Sequence, residues 1–223
     1  MSRVILDIET IGKNFDDLDK KSQEYLLQFA QDKKEKEEIK DRLALYPFTG
    51  EIVAIGLLNP DTNKGVMYYQ NNKKGKEIFQ EKGIKFETGS EKEILKNFWE
   101  DIRSYQQIIT FNGRGFDAPF LHLRSALLKI RPTKNLMPYR YDYKIHCDLM
   151  EQLTFYSATR KFNLDFYTRS FGIKSPKDDG VDGSQVGELY KKGKYKEIAR
   201  YCVRDLQATR ELYEYWEKYL KLE

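Results

Sequence analysis

The stretch Val4-Ile5-Leu6-Asp7-Ile8-Glu9-Thr10 runs β-branched and aliphatic residues straight into two carboxylates spaced i, i+2. In a strand, residues two apart point to the same face, so Asp7 and Glu9 are expected side by side there. Two carboxylates at the end of an apolar strand are costly unless something positive sits between them. A hard divalent cation fits, because Mg²⁺ and Mn²⁺ take oxygen ligands and are held by few carboxylates each. The competing reading is a solvated strand end on which Glu9 caps a turn.

The surrounding composition sets the class. A length of 223 residues suits one domain spanning the chain, and 40% hydrophobic residues provide a full core. With 33% charged residues and a net charge of +4, the chain is compatible with a nucleic-acid partner without demanding one. It falls short of the basic patch of a purely electrostatic binder. Cys147 and Cys202 lie far apart with no C-x-x-C pairing, which argues against zinc and against a disulfide framework and predicts a reducing compartment. The first strand leaves no room for a leader segment, and no apolar run approaches a membrane span. The expectation is a soluble, cytoplasmic protein with no membrane partner.

Outward from the first strand, the pattern breaks at Gly12 and Asn14, and a charged insert follows over about 13–48. Leu18, Tyr25, Leu26, Phe29, Ile39, Leu43 and Leu45 recur there at helical spacing, predicting one or two amphipathic helices ended by Pro47. Its charge run reads as a solvated helix face, with a substrate-facing arm as the alternative. Glu51 to Leu58 is a buried strand that forms a hairpin with Val66 to Tyr69 through Asn59-Pro60-Asp61-Thr62-Asn63. Asn71 to Thr88 is lysine- and glycine-rich and reads as a loop carrying a short strand. Ser90 and Glu93 have capping-box spacing before a helix running to about Tyr105. Strands at Gln107 to Phe111 and Ile145 to Cys147, a helix over Ala118 to Ile130 and a last helix from about Tyr195 to Leu220 complete a mixed α/β domain.

Three more acids are candidates to join Asp7 and Glu9. Asp117 ends the turn Asn112-Gly113-Arg114-Gly115-Phe116-Asp117, where an acid ordinarily caps the next helix. Tyr201 and Asp205 are four apart on the last helix and share a face. Asp148 has capping spacing to Glu151 and reads as structural. His122 and His146 do not pair with a second imidazole and also read as structural. Tyr190, Tyr195, Tyr213, Tyr215, Phe166 and Phe171 are core residues by default, with one or two free to stack on an unpaired base.

Together, Asp7-Ile8-Glu9-Thr10, Asn112 with Phe116-Asp117, and Tyr201-x-x-x-Asp205 resemble, in order, the three motifs of the DEDD 3′–5′ exonucleases in their tyrosine version. The histidine version would place its imidazole where this chain has Arg200. Lys177-Asp178-Asp179-Gly180, Asp182-Gly183-Ser184 and Glu197 to Cys202 look most like the proofreading domain of family-B DNA polymerases and its stand-alone relatives. The resemblance covers nearly the whole chain; the long Asn-to-Asp spacing and the bulky insert depart from the pattern.

This resemblance implies an RNase H-like α/β fold, a central mixed sheet flanked by helices, with the Asp205 helix across the end of the first strand. It implies two Mg²⁺ or Mn²⁺ ions held by Asp7, Glu9, Asp117 and Asp205, with Tyr201 orienting the attacking water. Thr10 and Asn112 would lie beside the terminal nucleotide, although a strand-end hydroxyl and a turn asparagine explain them equally well. The implied activity is 3′–5′ hydrolysis of single-stranded nucleic acid, more readily DNA, to nucleoside 5′-monophosphates. A proofreading or DNA repair context follows, with a replication or repair protein as a further partner. The alternatives are an exoribonuclease of the same superfamily and a non-catalytic nucleic-acid-binding module.

Overall fold

The structure is a computed structural model that describes residues 2–72, 75–178, 180 and 182–221. Asp179, named above in the segment around Lys177, lies outside the described residues, as do Lys73 and Lys74 of the lysine-rich stretch.

Alternating and apolar runs become strands β1 (Arg3–Gly12), β2 (Gly50–Leu58), β3 (Gly65–Gln70), β4 (Ile78–Glu81), β5 (Ile84–Gly89), β6 (Gln107–Thr110) and β7 (His146–Asp148). They form one mixed sheet in the order β4-β5-β3-β2-β1-β6-β7. β1 runs antiparallel to β2 and parallel to β6, and β6 runs parallel to β7. The C-terminal ends of β1, β6 and β7 therefore open toward one region, the crevice where open α/β sheets bind ligands.

Helices α3 (Glu91–Ile102) and α4 (Asp117–Leu127) cover the face carrying Val4, Leu6 and Ile8. Ser90 and Glu93 form the expected capping box of α3. The long helix α8 (Tyr195–Tyr219) lies on the opposite face, where Ile5, Cys202, Leu206 and Trp216 pack. Gly56 pairs with Asp7, and a Cβ there would come within 2.5 Å of Leu206 Cδ1, so glycine admits α8 close to the sheet. The layers are those of the RNase H-like α/β fold.

Two elements differ from the sequence expectation. The lysine-rich stretch holds a full hairpin, β4 and β5, turning through Lys82 and Gly83, both at positive φ as a two-residue hairpin turn requires. The charged insert forms α1 (Lys20–Leu27) and α2 (Lys33–Asp41), yet neither buries a residue. Tyr25 and Phe29 are 70% and 84% exposed, and of the apolar residues named there Leu43 alone is buried. Contact with the sheet is made by the short turn Arg42–Leu45, which packs on β1 and leaves the two helices outside it.

Candidate active site

Period-two geometry places Asp7 and Glu9 on the α8 face of β1, as the strand pattern predicts. Asp7, Glu9 and Cys202 each present an atom within 4.8 Å of the others. Cys202 was not singled out as a site residue by the sequence, although it lies one helical turn before Asp205 on α8. Its Sγ is 3.3 Å from Asp7 Oδ2. Burial and the neighbouring carboxylates push this thiol far above its ordinary range, so it donates to Asp7 as a neutral group. A neutral thiol is a poor ligand for a hard cation.

Beyond Ile5, β6 no longer pairs with β1. The Ile8 amide is met instead by Asp117 Oδ1 at 3.0 Å. Asp117 is the first residue of α4, whose N-cap, Phe116, makes no side-chain cap. Its carboxylate is thus directed across to β1 instead of capping its own helix. The turn before it is fixed by Asp148 at the end of β7, which accepts from the amides of Asn112 and Arg114, both at 2.9 Å, and of Met150 at 3.0 Å. Asn112 stands at φ 61°, a left-handed conformation that Asn tolerates better than most residues. His146 beneath this turn bonds Thr110 and the Leu136 carbonyl, and burial lowers its pKa to about 4. It is a neutral structural histidine.

From the other side, α8 brings Tyr201 and Asp205, whose hydroxyl and carboxylate lie close enough to shift each other's ionisation. A cavity of about 280 Å³ is lined by Asp7, Asn112, Met150, Lys177, Tyr201 and Asp205, among others. Lys177, its cation, bonds Asp182 at 3.0 Å, and a Cβ on Gly183 would lie 3.7 Å from the Tyr201 hydroxyl. Lys177 and Gly183 therefore border the site. Thr10 is elsewhere: it lies on the other face of β1 and its hydroxyl donates to Ala44 O at 2.7 Å.

The electrostatics of the cluster are those of anions crowded together. Burial, then the charges of Asp205 and Asp117, raise Asp7 well above the carboxylate range. Burial and then Asp7 do the same to Glu9. Burial is also the main force on Asp117 and Asp205, each pushed up to about 7. A donor set of carboxylate oxygens held in mutual repulsion suits a hard divalent cation, which would relieve that repulsion.

Residues 66–220 match the family described as a predicted 3′-5′ exonuclease related to the exonuclease domain of PolB. The chain belongs to this family. It is 30% identical over 84 residues to DNA polymerase 1 of Sulfolobus acidocaldarius, a match spanning 37% of this chain and 10% of that protein. DNA polymerase 1 of Sulfurisphaera ohwakuensis is 27% identical over 129 residues, spanning 51% of this chain and 15% of that one. The fold is shared with the family B DNA polymerase of Pyrobaculum calidifontis, at TM-score 0.61 and 14% identity over 96% of this chain and 24% of that one. The chain thus corresponds to a small part of each of these polymerases.

Proposed function

We propose that this protein is a metal-dependent 3′–5′ exonuclease that hydrolyses single-stranded nucleic acid, DNA in preference to RNA, and releases nucleoside 5′-monophosphates. The observation that carries the reading is the gathering of four carboxylates from β1, α4 and α8 beside a cavity at the C-terminal ends of the parallel strands. Left to themselves, these anions would repel a phosphodiester. Two Mg²⁺ or Mn²⁺ ions held by Asp7, Glu9, Asp117 and Asp205 would supply Lewis acidity for both the attacking and the leaving oxygen.

The chain's own groups do the rest. Burial and the adjacent carboxylates raise the Tyr201 hydroxyl far above its usual range, so it stays protonated and orients the water rather than deprotonating it. Asp205 lies beside it on the same helix and lines the same cavity. Lys177 places a positive charge beside the phosphate. Asn112 and Met150 border the space for the terminal nucleotide. Asp148 and Cys202 position the turn and Asp7 respectively. Organisation as one domain carrying the insert at 13–48, a cytoplasmic location and a replication or repair partner belong to the same proposal.

The test is digestion of matched 3′- and 5′-labelled single-stranded DNA and RNA with Mg²⁺, Mn²⁺ or EDTA, alongside Asp7→Ala. Metal-dependent release of mononucleotides from the 3′ end, lost in the variant, supports the reading, and the faster substrate reports the sugar preference. Binding of the strands with no cleavage under any metal would replace it with the binding-module alternative.

A further inference from the structure

Arg114 occupies the middle of the turn between Asn112 and Asp117, and its side chain is only 9% exposed. Its Nη2 donates to Pro138 O at 2.8 Å, and its Nε lies 3.5 Å from Glu151 Oε2. The third nitrogen, Nη1, is buried and has no hydrogen-bond partner among the described residues. A charged donor left this way is costly, and it is satisfied best by an anionic acceptor. The same side chain lines a cavity of about 210 Å³ with Arg140, Lys161, Glu151 and Asp148. Three cations there face two carboxylates. Asp148 is occupied by backbone amides, and Glu151 is shared between Arg114 and Arg140, which donates to its Oε1 at 2.8 Å. Among the described residues, Glu151 Oε2 accepts no hydrogen bond and keeps only the longer contact to Arg114. This cavity and the one beside Asp7 share Asn112 and Met150 as lining residues, so they are neighbours.

We propose that the Arg114 cavity is a second phosphate subsite, which grips a backbone phosphate of the single strand next to the bond being cleaved. The proposal rests on the exonuclease reading for its substrate. A small rotation of the guanidinium about its Nη2 anchor would bring the buried Nη1 to a phosphate oxygen, and Lys161 and Arg140 add positive field around it. Such a grip would hold the strand in register while the terminal nucleotide occupies the neighbouring cavity.

The experiment is a binding scan in EDTA, using 5′-fluorescent oligothymidylates in which one linkage at a time is a neutral methylphosphonate. One linkage near the 3′ end should weaken binding to the unaltered protein roughly 10-fold, the loss expected for one charge-assisted contact. Arg114→Gln should weaken the all-phosphate strand by a similar factor and be indifferent to that linkage, with Arg114→Lys intermediate. Lys161→Gln, an exposed change, should show a smaller loss at the same linkage if Arg114→Gln fails to fold. Equal sensitivity at every linkage, or none, would overturn the subsite. So would competition by inorganic phosphate or thymidine 5′-monophosphate without any linkage effect, which would mark a site for free anions. The same strands are then offered Mg²⁺. A linkage effect without cleavage would sink the exonuclease reading alone, whereas cleavage without a linkage effect would sink the subsite alone.

Discussion

Tyr201 and Cys202 are consecutive on α8, and the hydroxyl of one and the thiol of the other are both kept neutral by burial beside anions. A neutral phenol can direct a water molecule but cannot activate it, which predicts a specific kinetic signature. Tyr201→Phe removes one hydrogen bond to a charged partner, so turnover should fall roughly 10- to 100-fold. The Mg²⁺ concentration giving half-maximal activity should barely move; a parallel loss of metal affinity would mean the tyrosine role is misassigned. Asp7→Ala, by contrast, should abolish cleavage while circular dichroism shows the fold intact. At this scale the sequence was partly legible. The shared faces of Asp7 with Glu9 and of Tyr201 with Asp205 follow from helix and strand periods alone. Asp117 was not separable from a helix cap, because the amide it bonds is more than a hundred residues away. Thr10 is tied to the insert through Ala44, a partner that no local pattern announces.

At the scale of elements, a bulge follows Glu9. The register passes from Glu9↔Ala54 to Thr10↔Ile52, leaving Val53 as the extra residue. Val53 packs with Val186, Ile198 and Tyr201, so the irregularity joins β2 to the Tyr201 face of α8. Just past the bulge, the Ile52 amide donates to Glu91 at 2.8 Å and its carbonyl accepts from Gln70 at 2.8 Å. Glu91 is neutralised by Arg124, which also donates to Pro47 O at 3.1 Å. Arg124→Ala would leave Glu91 buried without its counter-charge, and stability should drop by about 3–5 kcal/mol in urea unfolding. A change under about 1 kcal/mol would show that this segment holds its register unaided. Asp148→Asn should also destabilise, by about 2–3 kcal/mol, because an amide cannot accept all the N–H groups that the carboxylate does. Turnover should fall with it as the Asn112–Asp117 turn loosens. The strand-hairpin-helix order was readable from apolar periodicity and caps. The β4–β5 hairpin was hidden because its lysines and glycines resemble loop composition, while its faint alternation brings Phe79 onto Phe86. α1 and α2 were legible as helices, but their exposure was not, since helical spacing of apolar residues does not say whether anything packs on them.

Across the whole molecule, the carboxylate cluster should make stability depend on pH and on metal together. Asp117 and Asp205 ionise near pH 7 in the metal-free fold, against about 4 in an unfolded chain. Between those values the folded state holds more protons, so the cluster's contribution to stability falls as pH rises. His146 acts in the opposite sense: lowered to about 4, it is protonated only on unfolding, and its contribution rises with pH up to about 6.5. The two effects overlap below neutrality, which is why a bare melting curve is ambiguous there. The difference between the unaltered protein and Asp205→Asn cancels His146, and in EDTA the variant should gain in relative Tm from pH 5 to about pH 7 and level off above it. Adding Mg²⁺ should reverse the order at pH 8 and do little at pH 5, because metal binding must displace the protons that the acids retain at low pH. A Tm difference in EDTA that stays flat across this range would mean that Asp205 is not held among anions. The arrangement of β1, α4 and α8 around a charge-relieving cation would then have to be abandoned, whatever the strand order says.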